Sequence, residues 1–551
     1  MTSKQFYIIL FSCIVVYIIG MFSIPLMDID AAQYASISRE MLERKSFLQI
    51  YDLGQDYLDK PPMLFWLSAA SMSVLGTHDW AYRLPSFLFG LLAIYSTYRL
   101  ALVFYKKEIA RLSALVLAAS QAMFLINHDV RTDTMLMGWV SFSIWHLAAW
   151  YATGKWKNFV LACIGLAGGM LTKGPIALVV PILAFVPHFI LKRQWKQFFR
   201  WEYIPGILII AAALIPMSIG LYRQFDLHPG KIINHVPIQS GLKFYYWTQS
   251  FGRYTGENAF KEMNDFTFLL QNMLWSFLPW IIFFLVALFI KVIDVVRNRF
   301  LLAQKDEFVA AGGFILTYCV LGRSQAQLPH YIFVVFPLAA IVTADFLYKL
   351  FFEDKNKTLR KILTAFHYSV FLLLWIALIV LLWWPFESLR PYAALIALPA
   401  FCTYIVLLIY RKLKWPRLLA AACFTVISIN ALLNIFFYPT LLTYQKGSSV
   451  AMFINEHNID KNKVVQLDEN IGHSFHFYSG HIYPVAAGAT LQKGEIVVMK
   501  VDSVNKVRAV FPQSEIIARF KTYPVTQLSL PFLNPALREK EIEQYILMKI
   551  H

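Results

Sequence analysis

MDIDAAQYASISREMLERKSFLQIYDLGQDYLDKPPMLFW, residues 27–66, is the stretch whose reading decides the fold. It follows an apolar run at 5–25 and gathers Asp28, Asp30, Arg39, Glu40, Asp52, Asp56, Asp59 and Lys60. The rest of the chain is mostly hydrocarbon: of 551 residues, 58% are hydrophobic and 15% charged, with a mean hydropathy of +0.54. That composition is far from a soluble domain's and identifies an integral membrane protein. A long charged loop between apolar runs therefore lies outside the hydrocarbon, and charges at a bundle mouth are costly unless they have a function.

Working outward from this loop, each helical span of a bilayer core needs about 20 mostly apolar residues, and about thirteen such runs precede residue 440. They lie at about 5–25, 83–104, 109–126, 134–152, 157–171, 175–191, 203–222, 267–294, 308–322, 330–350, 362–384, 390–410 and 416–437. The runs are too long and too evenly apolar for the alternating strands of a membrane barrel. The formal net charge of +17 does not point to nucleic acid, because Lys and Arg sit in short clusters between spans. The clusters around Arg99 to Arg111, Lys155 and Lys157, Lys192 to Arg200, Lys291 to Lys305, Lys355 to Lys361 and Arg411 to Arg417 fall in every second connection. Positive charge is retained in the cytoplasm, so these connections are expected there and the 27–66 loop on the outer side. The first run, with one Lys before it and no small-residue cleavage site near Pro25, reads as an uncleaved span. Cys13, Cys163, Cys319, Cys402 and Cys423 all fall in apolar runs and read as small buried hydrophobes without disulfides.

Residues 1–438 therefore form an all-α polytopic membrane domain, and residues 439–551 a small α/β domain on the outer side. The second reading rests on the short strand-like runs VVQLDE, EIVVMKV and EIIARFKTY, with KEIEQYILMKIH closing a sheet as strand or helix. No internal repeat or low-complexity tract interrupts the chain.

Within the opening loop, Tyr34, Ile37, Met41 and Leu42 follow helical spacing, which predicts an amphipathic helix lying along the membrane surface. Asp30 stands just before it, either as its N-cap or facing a cavity. The turn NHDVRTD (127–133) brings His128, Asp129, Arg131 and Asp133 to the same side. Lys173 precedes the Gly174–Pro175 break there, either snorkelling to the interface or turned inward. The long loop YYWTQSFGRYTGEN adds Gln249 and Arg253, and RSQAQLPHYIF adds Arg323, His330 and Tyr331. Lys60, Arg131, Lys173, Arg253 and Arg323 are cations spread over five outer connections, a pattern suited to a lipid phosphate. Carboxylates beside them can orient and deprotonate an acceptor hydroxyl while the cations stabilise the departing phosphate. His473, His476 and His481 lack metal-ligand spacing and read as ordinary polar surface residues.

Several of these segments resemble the GT-C membrane glycosyltransferases, in particular the bacterial aminoarabinose transferases of lipid A and their relatives in the protein O-mannosyltransferase superfamily. The carrying pieces are DAAQYASISREML (30–42), YLDKPPMLFW (57–66), the RTD turn (131–133), MLTKGPIALVVP (170–181), FLPW (277–280) and LPHY (328–331). The resemblance implies a GT-C fold with periplasmic interfacial helices in the bacterial inner membrane. It implies Asp30 and Asp133 as catalytic carboxylates and Lys60 on the donor phosphate, where the pattern of cations also puts Arg131, Lys173 and Arg253. Tyr34, Arg39, His330 and Tyr331 then line the donor and acceptor cavity, and Asp59 is the residue that would hold a divalent metal ion. The implied reaction moves one sugar from a polyprenyl (undecaprenyl) phosphate donor to lipid A or another envelope glycolipid, carried out by a monomer in contact with membrane lipids. Two positions depart from the family pattern: Ala31 stands where an acidic residue is usual, and Gln327 where a Lys is usual. Protein O-glycosylation from the same donor class is the alternative. A lipid transporter fits less well, because its polar residues belong near the bilayer midplane in related halves rather than at the outer helix ends.

Overall fold

The computed structural model describes residues 3–233, 236–252, 257, 265–409, 416–467, 469–487 and 490–551. All thirteen apolar runs fall on helices. The first ten helices are α1 (Ser3–Ser23), α2 (Asp30–Arg44), α3 (Met63–Leu75), α4 (Asp79–Phe104), α5 (Lys107–Ala118), α6 (Gln121–Leu125), α7 (Thr132–Thr153), α8 (Trp156–Lys173), α9 (Ile176–Leu191) and α10 (Tyr203–Leu221). Among the described residues seven helical segments, including α1, α4, Lys357–Trp383 and Arg417–Leu442, are long and apolar enough to cross a membrane individually. The run at 267–294 is two helices, Phe268–Ser276 and Ile281–Arg297. Pro279 in the intervening FLPW has no amide hydrogen to give and cannot continue the first of them.

The basic connections share one end of the bundle. Lys106 pairs with Glu353 at 3.2 Å, Arg111 donates to Ser3 Oγ at 2.9 Å and Lys192 donates to the Gln304 carbonyl at 3.0 Å. Arg411, Lys412 and Lys414 lie outside the described residues. The opposite end carries α2, the start of α7 and the end of α8, and the C-terminal domain is docked there.

Two features of that end differ from the sequence expectation. Met63–Leu75, a shorter apolar helix, lies inside what read as a continuous loop, because its 13 residues fall short of a span. And α2 is covered by protein on most of its faces. Ten of its residues, from Ala31 to Met41, are buried, including Arg39 and Glu40. Tyr34, Ile37 and Met41 form one core with Leu64 and Phe65 of α3, Tyr82 of α4 and Phe477 of the C-terminal domain. Each such apolar side chain contributes about 1.5–3 kcal/mol on burial. The charged face is covered because it meets protein: Glu40 pairs with Arg44 at 2.6 Å and accepts from Gly54 N at 3.0 Å.

After α2 the chain makes the tight hairpin β1 (Tyr51–Asp52) and β2 (Gln55–Asp56), and a second hairpin, β3 (Lys231–Ile233) and β4 (Val236–Ile238), follows α10. Between them α10 packs closely on the loop after α2. A Cβ on Gly220 would stand 2.1 Å from the Leu48 carbonyl oxygen, a backbone atom with no freedom to withdraw. Gly220→Ala is expected to destabilise the protein by about 2 kcal/mol, visible as a lowered unfolding midpoint in detergent.

The C-terminal domain begins after the last bundle helix ends at Leu442. Its sheet holds β5 (Val464–Leu467), β6 (Val485–Ala486), β7 (Ile496–Lys500), β8 (Glu515–Thr522) and β9 (Glu543–Lys549) in the order β6-β5-β7-β9-β8. β5 is parallel to β6 and β7, whereas β9 is antiparallel to β7 and β8. The four runs read from the sequence are four of these strands, and the two-residue β6 is too short to leave a periodic signal. The helices Lys446–Glu456 and His473–Ser479 cover one face, where Val450, Phe475 and Leu547 form a core.

Candidate active site

Asp30 is the first residue of α2, and Ile29 precedes it with no side-chain cap. Its carboxylate reaches across to the turn before α7, where Arg131 Nη1 stands 2.5 Å from Asp30 Oδ2. Arg131 Nε donates to Asp129 Oδ2 at 2.9 Å. One guanidinium thus joins two carboxylates from two segments. Burial by itself raises the Asp129 carboxyl, but the Arg131 charge and hydrogen bond outweigh it and hold the group below the usual carboxylate range. The same two carboxylates keep Arg131 charged against its own burial.

Asp133, in the first turn of α7, is buried. Lys173, the last residue of α8, donates to Asp133 Oδ1 at 2.5 Å. Its ammonium also lies 3.8 Å from the centre of the Tyr331 ring, a favourable cation–π distance. The geometry of α8's end makes this possible: Gly174 has φ +86, a conformation only glycine adopts without strain, and Pro175 opens α9. Lys173 therefore turns inward and does not snorkel. His330, in the 3-10 turn Pro329–Val335, links the two clusters: its Nδ1 is 3.4 Å from Arg131 Nη1 and its Nε2 is 3.5 Å from Asp133 Oδ2. Because Arg131 can only donate, Nδ1 must accept and the proton of the neutral ring sits on Nε2, facing Asp133.

Asp30, Tyr34, Asp59, Lys60, Arg131, Asp133, Lys173, His330 and Tyr331 all line a single cavity of about 240 Å³. A second, apolar cavity of about 400 Å³ continues from it between α9 and the helix Val309–Gly322. Lys60, Asp133, Lys173, Gln249 and Tyr331 belong to both walls. Gln249 Nε2 closes this wall with a hydrogen bond to the Asp59 carbonyl. Lys60 differs from the other cations: Arg131 and Lys173 are committed to carboxylates, whereas among the described residues no hydrogen bond or ion pair engages the Lys60 ammonium.

Two expectations need correction. Arg39 does not face the cavity. Its guanidinium donates to the carbonyls of His476 and Phe477, the latter at 3.2 Å, and pairs with Glu43 at 3.1 Å. Periodicity put Arg39 on the polar face of α2 but could not show that another domain covers that face. His473 and His476 are likewise not surface residues: His473 Nε2 sits 3.1 Å from both Asp52 carboxylate oxygens, and His476 is buried. Burial lowers the His476 imidazole to about 4. Asp59, the residue expected to hold a divalent metal ion, lines the cavity beside Asp30 and Asp133. Asp30 and Asp133 are already paired with cations. Arg253 lies outside the described residues. At the departures from the family pattern, Ala31 is buried, and Gln327 donates to the Gly322 and Ser324 carbonyls at 2.9 and 3.2 Å.

Sequence reasoning missed Arg83. This residue of α4 is fully buried and donates to the carbonyls of Met21, Ile24 and Pro25 at the end of α1 and of His128 before Arg131, at 2.6–3.1 Å. An arginine inside a long apolar run was the signal, because such a charge persists only when it is paired or hydrogen-bonded.

Comparison with known proteins agrees with this architecture. Residues 59–219 match the family model described as dolichyl-phosphate-mannose-protein mannosyltransferase. The undecaprenyl phosphate-alpha-4-amino-4-deoxy-L-arabinose arabinosyl transferase of Edwardsiella ictaluri is 25% identical over 337 residues, covering 60% of this chain and 57% of that protein. The enzyme of the same name from Pseudomonas aeruginosa is 27% identical over 258 residues, 46% of this chain and 44% of that one. The chain thus spans about half the length of these curated relatives. The crystal structure of ArnT from Cupriavidus metallidurans bound to undecaprenyl phosphate superposes with a TM-score of 0.75 at 18% identity, covering 99% of this chain and 98% of that one. The chain is therefore a multi-pass membrane protein with the fold of this ArnT structure.

Proposed function

We propose that this protein is a glycosyltransferase that moves one sugar from a polyprenyl-phosphate donor to lipid A or another glycolipid on the periplasmic side of the inner membrane. The observation that carries the reading is the common wall of the two cavities. An apolar chamber that opens into a polar one past two lysines matches an amphiphile with a hydrocarbon tail, an anionic joint and a polar head. The names of the relatives, which specify undecaprenyl phosphate as the carrier, support the same donor class. The outward orientation rests on the basic connections collecting at the other end of the bundle.

In this reading the tail lies between α9 and Val309–Gly322, the phosphate lies against Lys60, and the sugar occupies the polar chamber. The acceptor hydroxyl approaches Asp30, which orients it and takes its proton as the oxygen attacks the anomeric carbon. The bond from that carbon to the phosphate oxygen breaks, and the charge left on the phosphate is met by Lys60, which among the described residues is held in no hydrogen bond or ion pair. Arg131 fixes the Asp30 carboxylate in place. Lys173 and His330 hold Asp133 where it can accept from a sugar hydroxyl. No step is routed through a metal ion.

The test is reconstitution in proteoliposomes with a polyprenyl-phosphate sugar and lipid A, with product read by mass spectrometry. Absence of transfer to lipid A, together with transfer to a Ser- or Thr-containing peptide, would move the acceptor to protein. Lys60→Ala is expected to raise the donor KM about tenfold, the loss of one charge-assisted contact, with a smaller change in kcat. An unchanged KM would remove Lys60 from the phosphate.

A further inference from the structure

The residues flanking Asp30 are tied to the C-terminal domain more extensively than α2 needs for packing. Just before Asp30, the Asp28 carboxylate accepts from Ser474 N at 3.0 Å and from Ser474 Oγ at 2.5 Å, and Asp28 N donates to Gln445 Oε1 at 3.0 Å. Gln445 also donates to the Leu26 carbonyl at 2.8 Å, and Leu26 N donates to the Tyr478 hydroxyl at 2.7 Å. Just after Asp30, Gln33 Nε2 donates to Asp52 Oδ2 at 2.7 Å, and that carboxylate is the partner of His473. The approach is close: a Cβ on Gly472 would come within 2.7 Å of Asp28 Oδ2.

We propose that Asp28, Ser474 and His473 are positioning residues, through which the C-terminal domain grips the chain on both sides of Asp30 and sets where its carboxylate stands against Arg131. The domain is then a working part of the site although none of its residues lines the cavity. The proposal rests on the glycosyltransferase reading for its effect on rate, but the contacts themselves do not.

The His473 contact brings a pH dependence. Burial alone would lower the imidazole, yet the hydrogen bond and charge of Asp52, with Asp28 beyond it, raise it above the ordinary histidine value. The other charged groups around the pair are His476 on the same helix, Lys446 beside Asp28 and Glu40 facing Asp52. A group whose pKa is raised by docking stabilises the docked state fully below its undocked pKa and loses that contribution as pH rises through the raised one. The grip of His473 on Asp52 therefore loosens on the alkaline side of the histidine range.

The experiment uses the full chain in proteoliposomes with the polyprenyl-phosphate donor, together with hydrogen exchange of the 30–40 amides. Ser474→Ala is expected to lower kcat about tenfold with donor KM changed less than about twofold, as misplacement of a reacting group does, and to raise amide exchange at residues 30–33. Ser474→Thr, which keeps the hydroxyl, restores both. His473→Gln is expected to remove an alkaline fall in rate that the wild type and Ser474→Ala both show. If Ser474→Ala fails to fold, Asp28→Asn, which keeps the size and one acceptor oxygen, takes its place. Wild-type kcat and unchanged exchange in the folded variant would overturn the proposal. A wild-type protein that transfers no sugar would defeat the functional reading instead, and the exchange measurement would still decide whether the domain holds Asp30.

Discussion

Asp30→Asn is expected to reduce sugar transfer by about a thousandfold, within the range set by removing a group that orients and deprotonates a nucleophile. The same substitution is expected to leave the unfolding midpoint nearly unchanged. The Asp30 and Arg131 side chains are 32% and 26% exposed, so water screens their pairing and its contribution to stability is small. Arg131 keeps Asp129 as a partner, so no guanidinium is stranded. The separation of the two effects is what makes the variant informative: a large fall in kcat in a protein that melts normally assigns Asp30 to the chemistry. Turnover near the wild-type level would remove it from the mechanism, and a lowered midpoint would reassign the pair to structure.

Arg83→Ala is the complementary case, with the largest expected effect on the fold. Arg83 holds four carbonyls and stands 3.8 Å from Asp79, with no exposed side-chain surface. Removing it leaves those carbonyls without their donor in a buried place. At about 1 kcal/mol or more for each lost partner, the protein is expected to lose about 4 kcal/mol, read as a sharply lower melting midpoint in detergent and reduced yield. Arg83→Lys is expected to recover only part of this, because one ammonium cannot reproduce a planar fork that reaches both the end of α1 and the turn before α7. Full stability in Arg83→Lys would show that charge alone is enough.

The helical bundle and its charge register were legible because both follow from the bilayer: apolar length and the side on which lysines collect are written locally in the chain. Asp30, Lys60, Asp133, Lys173 and His330 were legible as a group for a related reason, since charges at the mouths of apolar helices are expensive and stand out. What the sequence could not display was cover. Arg39, Glu40 and His473 carry the polarity of surface residues; Arg39 and His473 are covered because the other domain supplies the carbonyls or the carboxylate that water would otherwise provide, and Glu40 because Arg44 and the Gly54 amide meet it. The Met63–Leu75 helix escaped notice through its length, and Arg83 through its position in a run long enough to be read as a plain span.

The shared wall between the two chambers has a consequence for how such a protein can change. In the proposed reaction Lys60 serves the anionic joint, which is the same whatever sugar is attached. Thr132, Phe244 and Leu328 line only the polar chamber, while Ile176, Val179 and Leu321 line only the apolar one. On the proposed reading, head and tail are met by separate sets of side chains on either side of a constant hinge of charge. On that reading, a descendant of this chain acquires a new sugar by substitutions at the first set without relearning its lipid carrier.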